Sequence, residues 1–384
     1  MGALAIIFWL SVILVVYVYA GYPLVAGLLA QLLRRRILEA APGTYQPTIT
    51  LIIAAFNEAA HIEETVNNKL DIDYPAEKIN IIVVSDESDD GTDDIVRSID
   101  DSRVRLMRQI PRAGKTAALN LALPEATGEI VVFSDANSIY HNDALNHLVS
   151  VFNDPAVGYV TGRMVYKAPD GSPTGEGCST YMIYENALRA METSIGSIVG
   201  VDGGVDAIRR SLYTPMNSDQ LPDFVQPLAV RQQGFRVVYQ PKALLYEDAL
   251  SSTNDEFRMR VRVGLRAFHA LRDKATLLNP FRFGLFAWQL FSHKVLRYLA
   301  FLFMATAFIT NIPLAMSGDW FWLGMMGGQI VFYLTAFAGH LLRNKNLPKL
   351  VGLVYYLCVL NVASALAWGQ FLLGRKKVIW KPRV

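Results

Sequence analysis

The chain divides into tracts with different hydrophobic rhythms. Met1–Leu33 carries no charged side chain, and three more uncharged runs lie near the other end: Tyr298–Gly318, Trp320–Leu342 and Leu350–Gly374. Each reaches the ~20 apolar residues that a helix needs to cross a bilayer. The first run lacks a basic start and is about twice as long as the ~7–15-residue apolar core of a secretory signal, so it predicts an anchor. Gly21-Tyr22-Pro23 predicts a break within it. Between these tracts the pattern changes. Thr48–Ala55, Ile79–Ser85, Val104–Arg108 and Ile130–Ser134 are short continuous apolar runs and predict strands. Glu58–Lys69, Gly91–Ser98 and Lys115–Ala122 read as the helices between them. Buried strands alternating with helices predict an α/β domain whose mostly parallel sheet is covered on both faces. From Asn279 to Arg297, aromatic and basic residues mix, including Trp288, His293 and Lys294. That mixture predicts an amphipathic helix lying at a membrane interface.

The expected organisation is therefore an anchor at 1–36, an α/β domain at 44–280, an interfacial helix at 281–297, a membrane region at 298–374 and a basic tail at 375–384. Charge sets an orientation. Arg34-Arg35-Arg36 follows the first span with no basic residue before it, which places the N-terminus outside and the α/β domain in the cytoplasm. Arg343, Lys345 and Lys349 mark the link before the last apolar run as cytoplasmic, and Arg375-Lys376-Lys377 marks the tail as cytoplasmic too. Both cannot hold if Leu350–Gly374 crosses once. Either that run lies along the interface or re-enters, or the tail departs from the rule. Its Asn361, Ser364, Trp368 and Gln370 make it the least lipid-like of the four.

Composition narrows the function classes. The hydrophobic fraction is 52% and only 18% of the 384 residues are charged, which points to a membrane protein. A net charge of +2 supplies no field for a polyanion, so no nucleic-acid partner is expected. Cys178 and Cys358 form neither a disulfide framework nor a metal spacing. No Gly-x-Gly-x-x-Gly follows the first strand, and Gly114-Lys115-Thr116 lacks the upstream glycine of a phosphate loop. It still opens a helix, whose N-terminus attracts phosphate. Asp86 and Asp135 each end a strand. Ligands of open α/β sheets lie beyond the carboxyl ends of strands, so these two acids stand where a ligand is expected.

Taken in order, LIIAAFNEAAHIEETV, IIVVSDESDDGTDDIV, GKTAALNLAL and VVFSDANSIY resemble the first half of a family 2 glycosyltransferase of GT-A fold. GGVDAIRRSLY and LPDFVQPLAVRQQGFRVVYQPKALLYED resemble its acceptor-side half, so that residues 48–265 are covered. The flanking spans resemble the membrane-integrated branch, which includes synthases of hyaluronan, cellulose and other exopolysaccharides. The resemblance implies a nucleotide-diphosphate sugar as donor, most often a UDP-sugar, and a carbohydrate or lipid-linked acceptor at the plasma (inner) membrane. It implies that Ala54, Ala55 and Glu58 line the nucleotide pocket, that Asp86 accepts from the base edge, and that Gly114 and Lys115 sit beside the phosphates. Asp135 would be the first acid of the Asp-x-Asp motif that holds Mg²⁺ or Mn²⁺ on the donor diphosphate. Asn137 stands where the second acid would be; it is either a neutral or water-mediated ligand, or a cap for the following turn. Asp223 falls at the position of the catalytic base, with Asp219 as its rival. Asp202, Gly203 and Gly204 would line the acceptor side. Arg260 would clamp the diphosphate, although the glutamine and tryptophan that flank this arginine in processive synthases are absent here. Arg258, Arg262 and Arg266 extend the same basic helix. The implied activity is inverting sugar transfer to a growing polysaccharide. The alternatives are transfer of one sugar to a polyprenyl phosphate or glycolipid and, more distantly, an inactive transport or scaffold subunit.

Overall fold

The computed structural model describes residues 1–167, 173–248, 253–343 and 347–378. Helices α1 (Gly2–Val16) and α2 (Tyr22–Leu33) form one apolar helix of 32 residues through a π-turn at Tyr17–Gly21. Pro23 explains that turn. It has no N–H for the helical ladder, and the widened turn lets the helix pass it without breaking.

The middle of the chain runs β1 (Ile49–Ala55), α3 (Ile62–Leu70), β2 (Ile79–Ser85), α4 (Thr92–Ser98), β3 (Val104–Arg108) and α5 (Lys115–Ala122). It continues with β4 (Ile130–Asp135), β5 (Ile139–Tyr140), α6 (Ala144–Ser150), β6 (Val157–Lys167), α7 (Pro173–Ile195), β7 (Val205–Arg209), α8 (Pro222–Gln232), β8 (Arg236–Asp248) and α9 (Thr253–Asp273). The strands form one eight-stranded sheet in the order β3-β2-β1-β4-β7-β6-β8-β5. Pairs β3–β2, β2–β1, β1–β4 and β6–β8 are parallel, and the other three are antiparallel, so the sheet is mixed with a parallel majority. All seven residues of β1 are buried because helices cover both faces. Leu51, Ile53, Val83 and Val132 pack against Ile62 and Val66 of α3 and Leu145 and Leu148 of α6. Ile52, Val84 and Phe133 point the other way, toward Leu119 of α5, Leu228 of α8 and Ala267 of α9. Each such side chain contributes roughly 1.5–3 kcal/mol by burial, and the period of two hands alternate residues to the two cores.

After α9 come α10 (Pro280–Phe283), α11 (Leu285–Leu290), α12 (Ala300–Ala315), α13 (Trp320–Leu341) and α14 (Lys349–Leu372). The single interfacial helix expected at 281–297 is not formed. Gly284, at φ +54°, separates α10 from α11, and Phe291–Leu296 is a π-segment. Its polar side chains also turn inward. His293 is 2% exposed and lies between Glu185 and Glu192 of α7, because buried carboxylates need polar partners beside them. The helix α1–α2, α13 and α14 are each long and apolar enough to cross a membrane. The segment Leu285–Leu296 and α12 together make a fourth candidate, bent by 58°.

Helix α14 lies parallel to α9. Tyr356 accepts from Arg260 (3.0 Å), Ala367 abuts Gly264, and Phe371 packs 5.7 Å from Phe268. Its end returns the chain to the sheet domain: the His269 ring lies 2.9 Å from the Arg375 carbonyl, and Lys376 Nζ is 2.5 Å from Asp219. Arg375 and Lys376 thus lie against the sheet domain. Lys345 and residues 379–384 of the expected tail lie outside the described residues.

Candidate active site

Three chain segments converge beyond the carboxyl ends of the central strands. β4 ends at Asp135, whose strand neighbour across β1 is Ala54. α5 begins at Lys115 after Gly114, whose φ of +91° only glycine adopts readily. α8 begins with Pro222, and Asp223 lies in its first turn, where the helix dipole favours an anion. Lys115 Nζ joins them, 2.6 Å from Asp135 Oδ1 and 3.7 Å from Asp223 Oδ1. The two acids stay 29% and 24% exposed, so both remain open to a ligand. Burial would lower the Lys115 pKa, but Asp135 and Asp223 outweigh it and hold the ammonium above its ordinary range. Burial, with Asp135 adding to it and Lys115 opposing, raises the Asp223 carboxyl above the usual carboxylate range. A carboxylate so raised is a stronger base than a free one.

The rival acid has a different setting. Asp219 is bound by Lys376 of the tail, which overcomes burial and keeps its carboxyl low. Of the two, Asp223 is the one whose carboxyl lies above the ordinary range.

Asp86 is fully buried at the end of β2. It accepts from the backbone N–H of Ala113 (2.8 Å) and Gly114 (3.0 Å) and from Gln109, with Arg112 Nε at 3.6 Å. Its carboxylate therefore fastens the turn that carries Gly114 and Lys115, and a base edge would have to displace these donors. Ala54 and Ala55 are buried beside it, and Glu58 lies in the loop after β1, its N–H bonded to Thr92. The guanidinium of Arg112 stacks 3.2 Å from the centre of the Phe56 ring. Neither residue stood out in the sequence, although Arg112 lies two positions before Gly114.

On the acceptor side, the Asp202 side chain points into the protein and pairs with Arg189 at 2.6 Å, both almost fully buried. Gly203, at φ +98°, packs its Cα against the Asp223 carboxylate, and Gly204 packs against Leu245 and Glu247. The strand that follows carries a residue the sequence reading missed. Asp206 is fully buried opposite Phe133 and Thr161, with no hydrogen bond to either oxygen; the Tyr159 and Thr161 hydroxyls lie beside it without reaching bonding geometry. Burial first, and the neighbouring Asp223 second, push its carboxyl up to about 8.

Arg260 does not join the acids. Its guanidinium donates to Glu256 (2.8 Å) and Tyr356 (3.0 Å) and lies 5.0 Å over Tyr181. Six residues further, about 9 Å along α9, Arg266 turns toward the acids. It donates to Thr116 Oγ1 (3.0 Å) and to the carbonyls of Asp219 and Gln220, and its charge is felt at Asp223. The motif spacing pointed to Arg260, but the helix face turns Arg266 toward the site.

Among the described residues no cluster of three or more His, Cys, Asp or Glu is built to cage a metal. Asp135 offers oxygen ligands only, and Asn137, half-buried two residues on, adds an amide oxygen. This donor set fits a hard cation that takes most of its ligands from substrate phosphates and water.

The family model for glycosyl transferase family 2 matches residues 50–212. The poly-beta-1,6-N-acetyl-D-glucosamine synthase of Staphylococcus aureus is 25% identical over 245 residues, covering 62% of this chain and 59% of that protein. The beta-monoglucosyldiacylglycerol synthase of Trichormus variabilis is 27% identical over 185 residues, covering 45% of this chain and 40% of that one. The chain thus spans less than two thirds of the length of these curated relatives. The mannosyltransferase PcManGT from Pyrobaculum calidifontis, solved with GDP-Man and Mn²⁺, shares 23% identity over 96% of this chain and 99% of that one, with a TM-score of 0.73. The architecture is the GT-A fold.

Proposed function

Because residues 50–212 form a family 2 glycosyl transferase domain, we propose that the protein transfers a sugar from a nucleotide-diphosphate sugar, a UDP-sugar by preference, to a growing polysaccharide. The reaction inverts the sugar carbon and takes place on the cytoplasmic face of the plasma membrane. One observation carries this reading: Lys115 holds Asp135 and Asp223 together at 2.6 and 3.7 Å beyond the strand ends.

In this mechanism Asp223 takes the proton of the acceptor hydroxyl as that oxygen attacks the sugar carbon. Its raised pKa suits a base, and its place at the head of α8 favours the negative charge a base must carry. Lys115 puts positive charge where the diphosphate leaves, and Arg266 with the Gly114 turn frames the same pocket. Asp135 and Asn137 would hold Mg²⁺ or Mn²⁺, which when bound neutralises charge on the leaving diphosphate. Gly203 lets the backbone pack directly against the Asp223 carboxylate and so fixes its position. The tail's contact with the sheet domain and the basic Arg34-Arg35-Arg36 after α2 support the cytoplasmic orientation.

A second reading, one sugar transferred to a lipid-linked acceptor, is favoured by the missing tryptophan after Arg260 and by the likeness to a glycolipid synthase. Product length separates the two. Incubating the purified chain with one donor yields a ladder of oligosaccharide masses if it is a synthase. A product one sugar longer than the acceptor overturns the polysaccharide reading.

A further inference from the structure

A cavity partly open to solvent lies where the π-turn of the N-terminal helix, the π-segment at 291–296 and α14 meet α7 and α9. Its wall carries Arg260, His293, Lys294 and Arg297, together with Tyr181 and Asn361, and no acidic residue lines it among those described. The carboxylates stand behind the wall. Glu256 holds Arg260 at 2.8 Å, Glu192 holds His293 at 2.7 Å, and Glu185 accepts from Arg297. They fix these side chains from behind and leave the cavity face lined by basic residues.

Three groups on that face are under-used. Lys294 makes no hydrogen bond to a described residue; its nearest carboxylate oxygen is 4.0 Å away, on Glu185. His293 is 2% exposed and its Nε2 lacks a hydrogen bond, with only Glu185 Oε2 at 3.4 Å. Asn361 is 5% exposed; its amide donates to Tyr19 and to Leu357, but its Oδ1 has no partner. Leaving buried polar atoms unpaired costs about 1–3 kcal/mol each, so their collection around one cavity points to a ligand that satisfies them. Two of the walls belong to helices apolar enough to span a membrane, which gives a ligand's hydrocarbon chains a way out sideways.

We propose that this cavity binds an anionic phosphate headgroup carried on a membrane lipid. Lys294, His293 and Arg297 donate to the phosphate oxygens, and the apolar chains leave along α14. Basic pockets between membrane helices take anionic headgroups in this way. Arg260 lies on α9, the helix that also carries Arg266 into the catalytic pocket, so an occupied cavity braces the site from the membrane side.

The test uses the purified full chain in neutral detergent. Phosphatidic acid and phosphatidylglycerol are expected to raise its unfolding temperature and to remain bound in native mass spectra. Phosphatidylcholine and inorganic phosphate are expected to do neither. Lys294→Gln should weaken the anionic-lipid response roughly fivefold or more, and Lys294→Arg should restore most of it. Lipid-free unfolding temperatures close to wild type show that both variants are folded; if Lys294→Gln is not, Asn361→Leu serves in its place, with the same loss expected. Equal stabilisation by phosphatidylcholine, an equal effect of inorganic phosphate, or unchanged lipid affinity in a folded Lys294→Gln protein overturns the proposal. None of these readouts depends on sugar transfer, so the lipid site and the transferase reading stand or fall separately.

Discussion

Gly203 has φ +98°, and a methyl group placed on it falls 2.5 Å from Asp223 Oδ2 and 2.6 Å from its Cγ. Ordinary contact begins at 3.4 Å, so Gly203→Ala must push the carboxylate away by about 0.9 Å. Two costs follow, and they are separable. The positive φ adds about 1–2 kcal/mol of strain for any residue with a Cβ. The displacement moves the proposed base, and a shift near 1 Å in a reacting group lowers turnover by about 10²-fold. Gly234 supplies the control: its φ is +95°, but nothing lies within 4 Å of the position a Cβ would take. Gly234→Ala therefore pays the strain alone. Gly203→Ala should lose at least as much thermal stability as Gly234→Ala, because it adds the displacement to the same backbone strain. Nucleoside diphosphate release at saturating donor and acceptor should fall about 10²-fold in Gly203→Ala and stay close to wild type in Gly234→Ala. If the two variants turn over equally, the close packing of Gly203 on Asp223 has no part in the chemistry.

Asp135→Asn should abolish metal-dependent turnover, whereas Asn137→Asp should keep it and tighten the Mn²⁺ dependence; titrating activity against Mn²⁺ checks both, and normal turnover in Asp135→Asn would sink the assignment. Asp206 gives a pH prediction. Its folded carboxyl titrates near 8 against an ordinary value of 3.8, so the folded protein keeps a proton that the unfolded chain has lost, and stability falls as pH rises through that window. An asparagine cannot ionise, so the stability gained by Asp206→Asn should grow by up to about 1.4 kcal/mol per pH unit between pH 5 and 8 and level off above. Thermal unfolding across that range measures it, and a constant difference between variant and wild type would refute the buried proton.

The parallel half of the sheet was legible because its strands are unbroken apolar runs with short helices between them. The end of β4 at Asp135 and the start of α5 at Lys115 could be placed almost to the residue. The antiparallel strands were harder. β7 carries the charged Asp206 and Arg209 in five residues, and β6 and β8 shift register where they pair, so no clean pattern marks them. Side-chain direction was the second limit. Arg260 and Arg266 differ by six residues on one helix, and only the packing of α9 against α14 and the 216–220 loop decides which one turns to the site. Asp86 shows the same limit: its place at a strand end was readable, but its commitment to the Ala113–Gly114 turn was not. The segment 281–297 had the composition of a surface helix, yet Glu185 and Glu192, about a hundred residues earlier, draw His293 and Arg297 inward. The return of Arg375 and Lys376 to the sheet domain rests on His269 and Asp219, contacts that no local pattern encodes.

The central claim is that Asp223 is the base of a nucleotide-sugar transferase. The most direct test incubates the purified chain, wild type and Asp223→Asn, with a panel of UDP- and GDP-sugars plus Mn²⁺ and scores nucleoside diphosphate release with product mass. The expected result is turnover of at least one nucleotide sugar by the wild type, reduced about 10²–10⁴-fold in Asp223→Asn with donor binding retained. Equal turnover by the two proteins, or no turnover of any nucleotide sugar by the wild type, would contradict it.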